Sequence, residues 1–245
     1  MYGISIVSIV YVVRFRSAYG DQKGENVLNK PLITIGVLVG ILFLFLLFTS
    51  KFILLNGFAR LEEREVTQNL ERASSGLSNE LAQLDTVAGD YAGWDESYRF
   101  IRDCNEAFVK TNLSNAMFPK LRLNLVFYID LSGRIIYEKA VDSKNGRTIA
   151  SPAGMRAHIS GNSLLVRHET TESKKAGVLL LPEGPLLVVS RPILTSEYKG
   201  PVRGALIIGR FLDSGETARL SGIIHLKIRL FPPDDPMLPS AYALR

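Results

Sequence analysis

Residues 177–194, GVLLLPEGPLLVVSRPIL, decide the fold. Two short apolar runs flank Pro182-Glu183-Gly184-Pro185. Proline presets φ and removes an amide donor, and glycine accepts positive φ, so this punctuation turns the chain. The runs are too short for helices, and nothing helical separates them. They read as two neighbouring antiparallel strands. Moving outward, residues 122–129, RLNLVFYI, form another strand, 130–133 (DLSG) a turn, and 134–139 (RIIYEK) the hairpin return. Residues 202–211, VRGALIIGRF, add a strand. Residues 213–221 predict a short helix capped by Asp213 or Ser214, and 223–231, IIHLKIRLF, a closing strand. The polar stretch 142–163 is a crossover with a short helix near PAGMRAHI, and the proline-rich tail 232–245 is irregular.

The first half reads differently. Val66, Leu70, Ala73, Leu77, Leu81, Leu84 and Ala88 recur at steps of three and four, one face of a helix running over residues 52–88. Glu62, Glu63, Glu71, Arg72 and Asn79 fall on the other side, and a helix of about 35 residues reaches roughly 50 Å. Gly76 stands in it as a weak point, costing about 1 kcal/mol relative to alanine. Helices first and antiparallel strands later make an α+β fold. Upstream, residues 32–50, LITIGVLVGILFLFLLFTS, carry no charge and predict one transmembrane helix. Arg14, Arg16, Lys23 and Lys30 before it favour a cytoplasmic N-terminus, which puts residues 51–231 outside the cytoplasm. Residues 4–13, ISIVSIVYVV, are too short to span, so residues 1–31 form a cytoplasmic or membrane-associated segment.

Composition narrows the function. Without residues 1–50 the chain keeps 25 basic and 22 acidic residues, a mixed surface with no nucleic-acid stripe. Cys104 is the single cysteine, so no intrachain disulfide forms. His158, His168 and His225 are scattered without metal-ligand spacing, and no phosphate loop, dinucleotide fingerprint or nucleophile elbow occurs. No cofactor, metal or catalytic role is expected. Asn112-Leu-Ser is a lone glycosylation sequon.

Residues 90–100, DYAGWDESYRF, hold the candidate site. If helical, they place Tyr91, Trp94, Asp95 and Tyr98 on one face. That face is either a packing seam or the wall of a small-ligand pocket. Arg191, at the end of an apolar strand, needs a partner if buried: Asp95 or an anionic ligand. Tyr128, on a strand, joins either face.

LEEREVTQNLERASSGLSNELAQLDTVAGDYAGWDESYRFI (61–101), LNLVFYIDLSGRIIY (123–137), LLLPEGPLLVVSRPILTSE (179–197) and GALIIGRFLD (204–213) together resemble the CHASE domain of type 4, an extracytoplasmic sensor module. The resemblance covers roughly residues 55–222. It implies a PAS- or Cache-like sheet packed on a long membrane-proximal helix, and an output such as a kinase or cyclase. The chain reaches Arg245 without a second apolar span, which points to a truncated chain or to a partner that supplies the output. The expected function is a membrane-anchored sensory domain that binds an unidentified small ligand and signals along the long helix. The expected partners are the lipid bilayer, a signalling protein with a kinase or cyclase output, and a second copy through the long helix. A ligand-free dimerisation module and a hydrolase using Asp90 or Asp95 are the alternatives.

Overall fold

The structure is a computed structural model that describes residues 26–142, 145–159 and 163–231. The apolar run 4–13, the basic flank 14–23 and the tail 232–245 lie outside the described residues. The chain divides into two units, Met1–Arg64 and Glu65–Arg245.

Helix α1, Asn26–Ala92, is continuous over 67 residues, so the predicted helix extends both ways beyond 52–88. In the first unit it contains Leu32–Phe52, with a mean hydropathy of 2.8 and none of its side chains buried. By length and composition this stretch can cross a membrane.

In the second unit α1 turns Leu84 and Ala88 fully into a core, while Val66 and Leu70 stay exposed. Gly76 is the point where the helix over Ser214–Ile224 approaches. A Cβ there would sit 2.7 Å from Ile224 Cγ2 and 3.3 Å from Leu220 Cδ1. The expected weak point is therefore a packing requirement, because an added methyl must displace Ile224.

Three short helices follow: α2 Asp95–Asp103, α3 Glu106–Asn112 and α4 Met117–Leu121. The Asn105 side chain caps α3 by accepting from the Ala107 amide. Strands β1 Leu125–Asp130, β2 Ile135–Val141 and β3 Thr148–Ile149 come next, then α5 Ala153–Ala157. Strands β4 Lys175–Leu181, β5 Gly184–Pro192 and β6 Gly204–Phe211 precede α6 Ser214–Ile224. Of the two caps offered for α6, Asp213 is the one used. Its Oδ1 accepts from the Glu216 amide at 2.8 Å.

The six strands form one antiparallel sheet in the order β3-β2-β1-β6-β5-β4. The predicted 177–194 hairpin is β4–β5, with Leu181 opposite Gly184 and φ of +130° at Gly184. Residues 223–231 are not a strand. Helix α6 continues to Ile224, His225 ends it at φ +55°, and the Ser221 hydroxyl accepts from the Ile228 amide. Their period-two pattern reflects packing on one side only, without a neighbouring strand to pair with.

Strand alternation sorts the core into two layers. Val126, Tyr128, Leu187, Val189, Leu206 and Ile208 pack against α1 to α4. Leu125, Phe127, Ile129, Leu186, Val188 and Ile207 pack beneath Met155, Ile159, Leu165 and Val166. The second unit is an α+β sandwich of helices on an antiparallel sheet.

Candidate functional site

The stretch 90–100 does not form one helix. Helix α1 stops at Ala92, and Trp94 has extended backbone (φ −97°, ψ 139°) before α2. Gly93 permits the break: a Cβ there would lie 2.7 Å from the Tyr198 ring. Tyr91, Trp94, Asp95 and Tyr98 therefore do not share a helix face, which corrects the expectation.

Each of these residues has its own place. The Tyr91 and Trp94 rings stack at 4.5 Å, both half-buried. Asp95 grips the loop before β6: its Oδ1 accepts from the Ser196 amide at 3.0 Å, and its own amide donates to Ser196 Oγ at 3.1 Å. The buried Tyr98 donates its hydroxyl to the Pro201 carbonyl at 3.2 Å, and the Arg203 guanidinium lies 3.6 Å over its ring. Tyr128 is fully buried, with its hydroxyl 3.2 Å from Ser97 Oγ, and burial pushes its pKa up.

Arg191 pairs with Asp85, not with Asp95. Its Nε and Nη2 donate to the two Asp85 oxygens at 2.5 and 2.6 Å, the forked geometry a guanidinium favours. Lys174 Nζ donates to the same carboxylate at 3.2 Å. Burial pushes the Asp85 carboxyl up, but the Arg191 hydrogen bonds and charge, with those of Lys174, outweigh it and hold it below its ordinary value.

Five positions earlier on α1, Glu80 makes a second and deeper lock. Its carboxylate accepts from Arg122 on the α4–β1 link, Arg210 on β6 and Arg219 on α6, at 2.5, 2.6 and 2.6 Å. Glu216 on α6 shares Arg122 and Arg219 at 2.7 and 2.6 Å. Glu80 is 2% exposed and Arg210 4%, so these charges survive only because they satisfy one another. Burial raises the Glu80 pKa, and the hydrogen bonds of Arg219 and Arg122 more than reverse that. Burial pushes Arg210 down to about 10, with the Arg122 charge adding to the effect. A cleft of about 350 Å³ opens beside this lock, lined in part by Arg122, Asp142, Arg210, Asp213 and Glu216.

A second cleft, of about 670 Å³, lies at the head of β4. Its lining includes Ser163, Arg167, Glu169, Thr170, Lys174 and Lys175. Behind it, His168 is buried and ties the crossover to β5. Ser190 donates its proton to the Leu165 carbonyl at 2.6 Å, so its oxygen accepts from His168 Nε2 at 2.9 Å. Ser173 then donates to His168 Nδ1, also at 2.9 Å. With its proton committed and no exposed surface, Ser190 is a structural tie rather than a nucleophile. Burial, with the charges of Lys175 and Arg191, pushes the His168 pKa down to about 4.

Glu80, Asp85 and Lys174 were not singled out from the sequence, and His168 was read only as lacking metal-ligand spacing, although one signal was present. Glu80 sits three residues after Leu77 and four before Leu84, inside the apolar stripe. A carboxylate there must be paired.

The chain is similar to several known proteins. The CHASE4 domain profile matches residues 76–231, more than half of the chain. The methanogenesis regulatory histidine kinase FilI of Methanothrix harundinacea (strain 6Ac) is 32% identical over 166 residues, covering 66% of this chain and 19% of that protein. The chain thus spans about a fifth of the length of the curated relative it matches. Among solved structures, the extracellular domain of a protein described as the histidine kinase vpHK1S-Z8 aligns with a TM-score of 0.48 at 17% identity, over 64% of this chain and 60% of that one. The Vibrio cholerae histidine kinase DctB sensor domain aligns with a TM-score of 0.43 at 13% identity, over 61% and 56%. On the profile match across the whole sheet and the end of α1, the chain belongs to the CHASE4 domain family.

Proposed function

We propose that the chain is the non-catalytic sensory part of a membrane-bound signalling protein. Its main domain lies outside the cytoplasm, and a small ligand changes how α1 sits on the sheet. One observation carries the proposal: Lys174 lines the cleft at the head of β4 and also ion-pairs with Asp85 of α1. A ligand that engages Lys174 alters the charge balance at Asp85, on the same helix that contains the apolar stretch Leu32–Phe52. The shift available equals the ligand's differential affinity for the two arrangements. A histidine-kinase output, the activity in the name of the FilI relative, is the transmitter this reading assigns.

The six residues singled out from the sequence enter in supporting roles. Arg191 is the fixed half of the Asp85 lock. Asp95, Tyr98 and Tyr128 anchor the α1–α2 corner to the sheet. The half-exposed Tyr91–Trp94 pair offers a second contact surface for a ligand. Val66 and Leu70, exposed on α1, are the positions where two copies would pair their long helices.

The test uses the full chain in lipid nanodiscs on a Cys104→Ser background, with spin labels at Thr86→Cys and Glu172→Cys. A small-molecule panel is screened by thermal shift, and hits are followed by the label-to-label distance. A ligand should raise Tm and move the distance, and Lys174→Gln should uncouple the two. Stabilising ligands that leave the distance unchanged would refute the signalling route, and dimers with no ligand response would favour a pure dimerisation module. Outside placement is checked with an impermeant maleimide at Glu172→Cys in intact cells. Labelling only after lysis overturns it.

A further inference from the structure

The cleft at the head of β4 has an unbalanced lining. Arg167, Lys174 and Lys175 face a single carboxylate, Glu169. Two of the three cations have partners. Arg167 meets Glu169 at 2.9 Å, with both side chains more than 60% exposed, an arrangement that contributes little and exchanges easily. Lys174 is drawn to Asp85. Among the described residues, Lys175 has no carboxylate within ion-pair distance. It opens β4 directly after Lys174, and both residues line the cleft. Lys175 is half-buried, close enough to His168 to act on that residue's charge. The second anomaly is Ser163. Its hydroxyl oxygen is buried and has no hydrogen-bond partner among the described residues, yet the residue lines the same cleft. A buried polar atom without a partner is uncommon in folded proteins and calls for one. An unsatisfied hydroxyl donor and an unpaired ammonium in one cleft share a single complement, a compact group with negative oxygens.

We propose that this cleft takes a compact anion, a carboxylate or phosphate group, held by Lys175, Arg167 and the Ser163 hydroxyl. The proposal rests on the ligand reading above and names the ligand's class. It also supplies the regulation. The anion competes with Glu169 for Arg167 and with Asp85 for Lys174, loosening the exposed half of the α1 lock and leaving the Arg191–Asp85 fork intact.

The experiment titrates the full chain in zwitterionic nanodiscs with inorganic phosphate and, separately, acetate, at constant ionic strength so that screening does not change. Both probes should give a saturable rise in Tm, and the stronger response identifies the head group. Charge-assisted hydrogen bonds contribute enough that Lys175→Gln and Arg167→Gln should each weaken the midpoint about tenfold. Lys120→Gln, an exposed lysine elsewhere, should leave it unchanged. A second readout is independent of stability: neutralising Lys175 with a bound anion should raise the His168 pKa, followed by its ring proton resonance. A linear response, or the same response in Lys175→Gln as in Lys120→Gln, reduces the effect to bulk salt and overturns the proposal. If instead a neutral compound stabilises the protein and moves the label-to-label distance, and Lys174→Gln abolishes the distance change, the ligand reading stands and the anion class falls. If nothing acts through Lys174 or Lys175, both fall.

Discussion

Helix α1 meets the sheet at two ionic locks, five residues apart, and they are built to opposite ends. The Glu80 lock draws on α1, the α4–β1 link, β6 and α6, and its central side chains are only 3% and 5% exposed. The Asp85 lock is smaller. Its arginine is 26% exposed, and its lysine, 57% exposed, doubles as a cleft wall. Arg122 and Arg219 at the rim of the Glu80 lock are 34% and 30% exposed, but its Glu80–Arg210 centre is closed to water and behaves as a fixed hinge, because removing either partner strands a buried charge. A pair that opens to solvent can exchange partners at low cost. The same chemistry thus gives a pivot at Glu80 and a contact that a ligand can shift at Asp85.

The largest expected effect tests the pivot. Glu80→Gln leaves Arg122, Arg210 and Arg219 without their shared carboxylate and should cost about 3–5 kcal/mol, read by chemical denaturation. A loss below about 1 kcal/mol would mean that Glu216 alone can hold the three arginines, and the contrast between the locks would fail.

Acid should separate the two regions next. The folded pKa of His168 lies below its unfolded value, so the unfolded chain takes up the proton first. Its contribution is intact above about pH 6.5 and is lost as the pH falls towards 4, on the order of 3 kcal/mol in all. Glu80 and Asp85, both held below the ordinary carboxylate values, stay ionised through most of that window. Denaturation curves between pH 7 and 4 should show the loss in the parent and a flatter profile in His168→Gln. Parallel profiles would remove His168 from the account.

Asp85→Asn should cost about 2 kcal/mol, less than Glu80→Gln, because water reaches the stranded Arg191. Equal losses at the two positions would erase the distinction. The smallest effect belongs to Lys174→Gln, below about 1 kcal/mol for so exposed a pair. A clearly larger value would make Lys174 part of the scaffold rather than a movable contact.

Much of the fold was legible because local periodicity reports it. The three-and-four stripe from Val66 to Ala88 and the hairpin around Pro182–Pro185 needed no tertiary information. Two readings failed for lack of it. Ile223 to Phe231 alternate like a strand, but alternation reports one-sided packing and does not supply a neighbouring strand. Trp94 to Tyr98 have helical spacing relative to Tyr91, but the break at Gly93, pressed by Tyr198 from 105 residues away, resets the phase. The candidate site was the least legible. Arg191 announced that it needed a carboxylate, yet Asp85 and Asp95 are both near an α1 end that sequence alone cannot dock.

Sequence by itself determined the class of each segment: an uncharged run long enough to span, a long amphipathic helix, and antiparallel strands joined by proline and glycine turns. These follow from backbone geometry and the hydrophobic period, which act over a few residues. Only the tertiary structure decided which charges meet. Glu80 lies 130 residues from Arg210, and Asp85 lies 106 from Arg191. Nothing local distinguishes a carboxylate that will be buried and paired from one that stays in water. That choice is made when the sheet closes against α1 and desolvation obliges every charge at the seam to find its opposite.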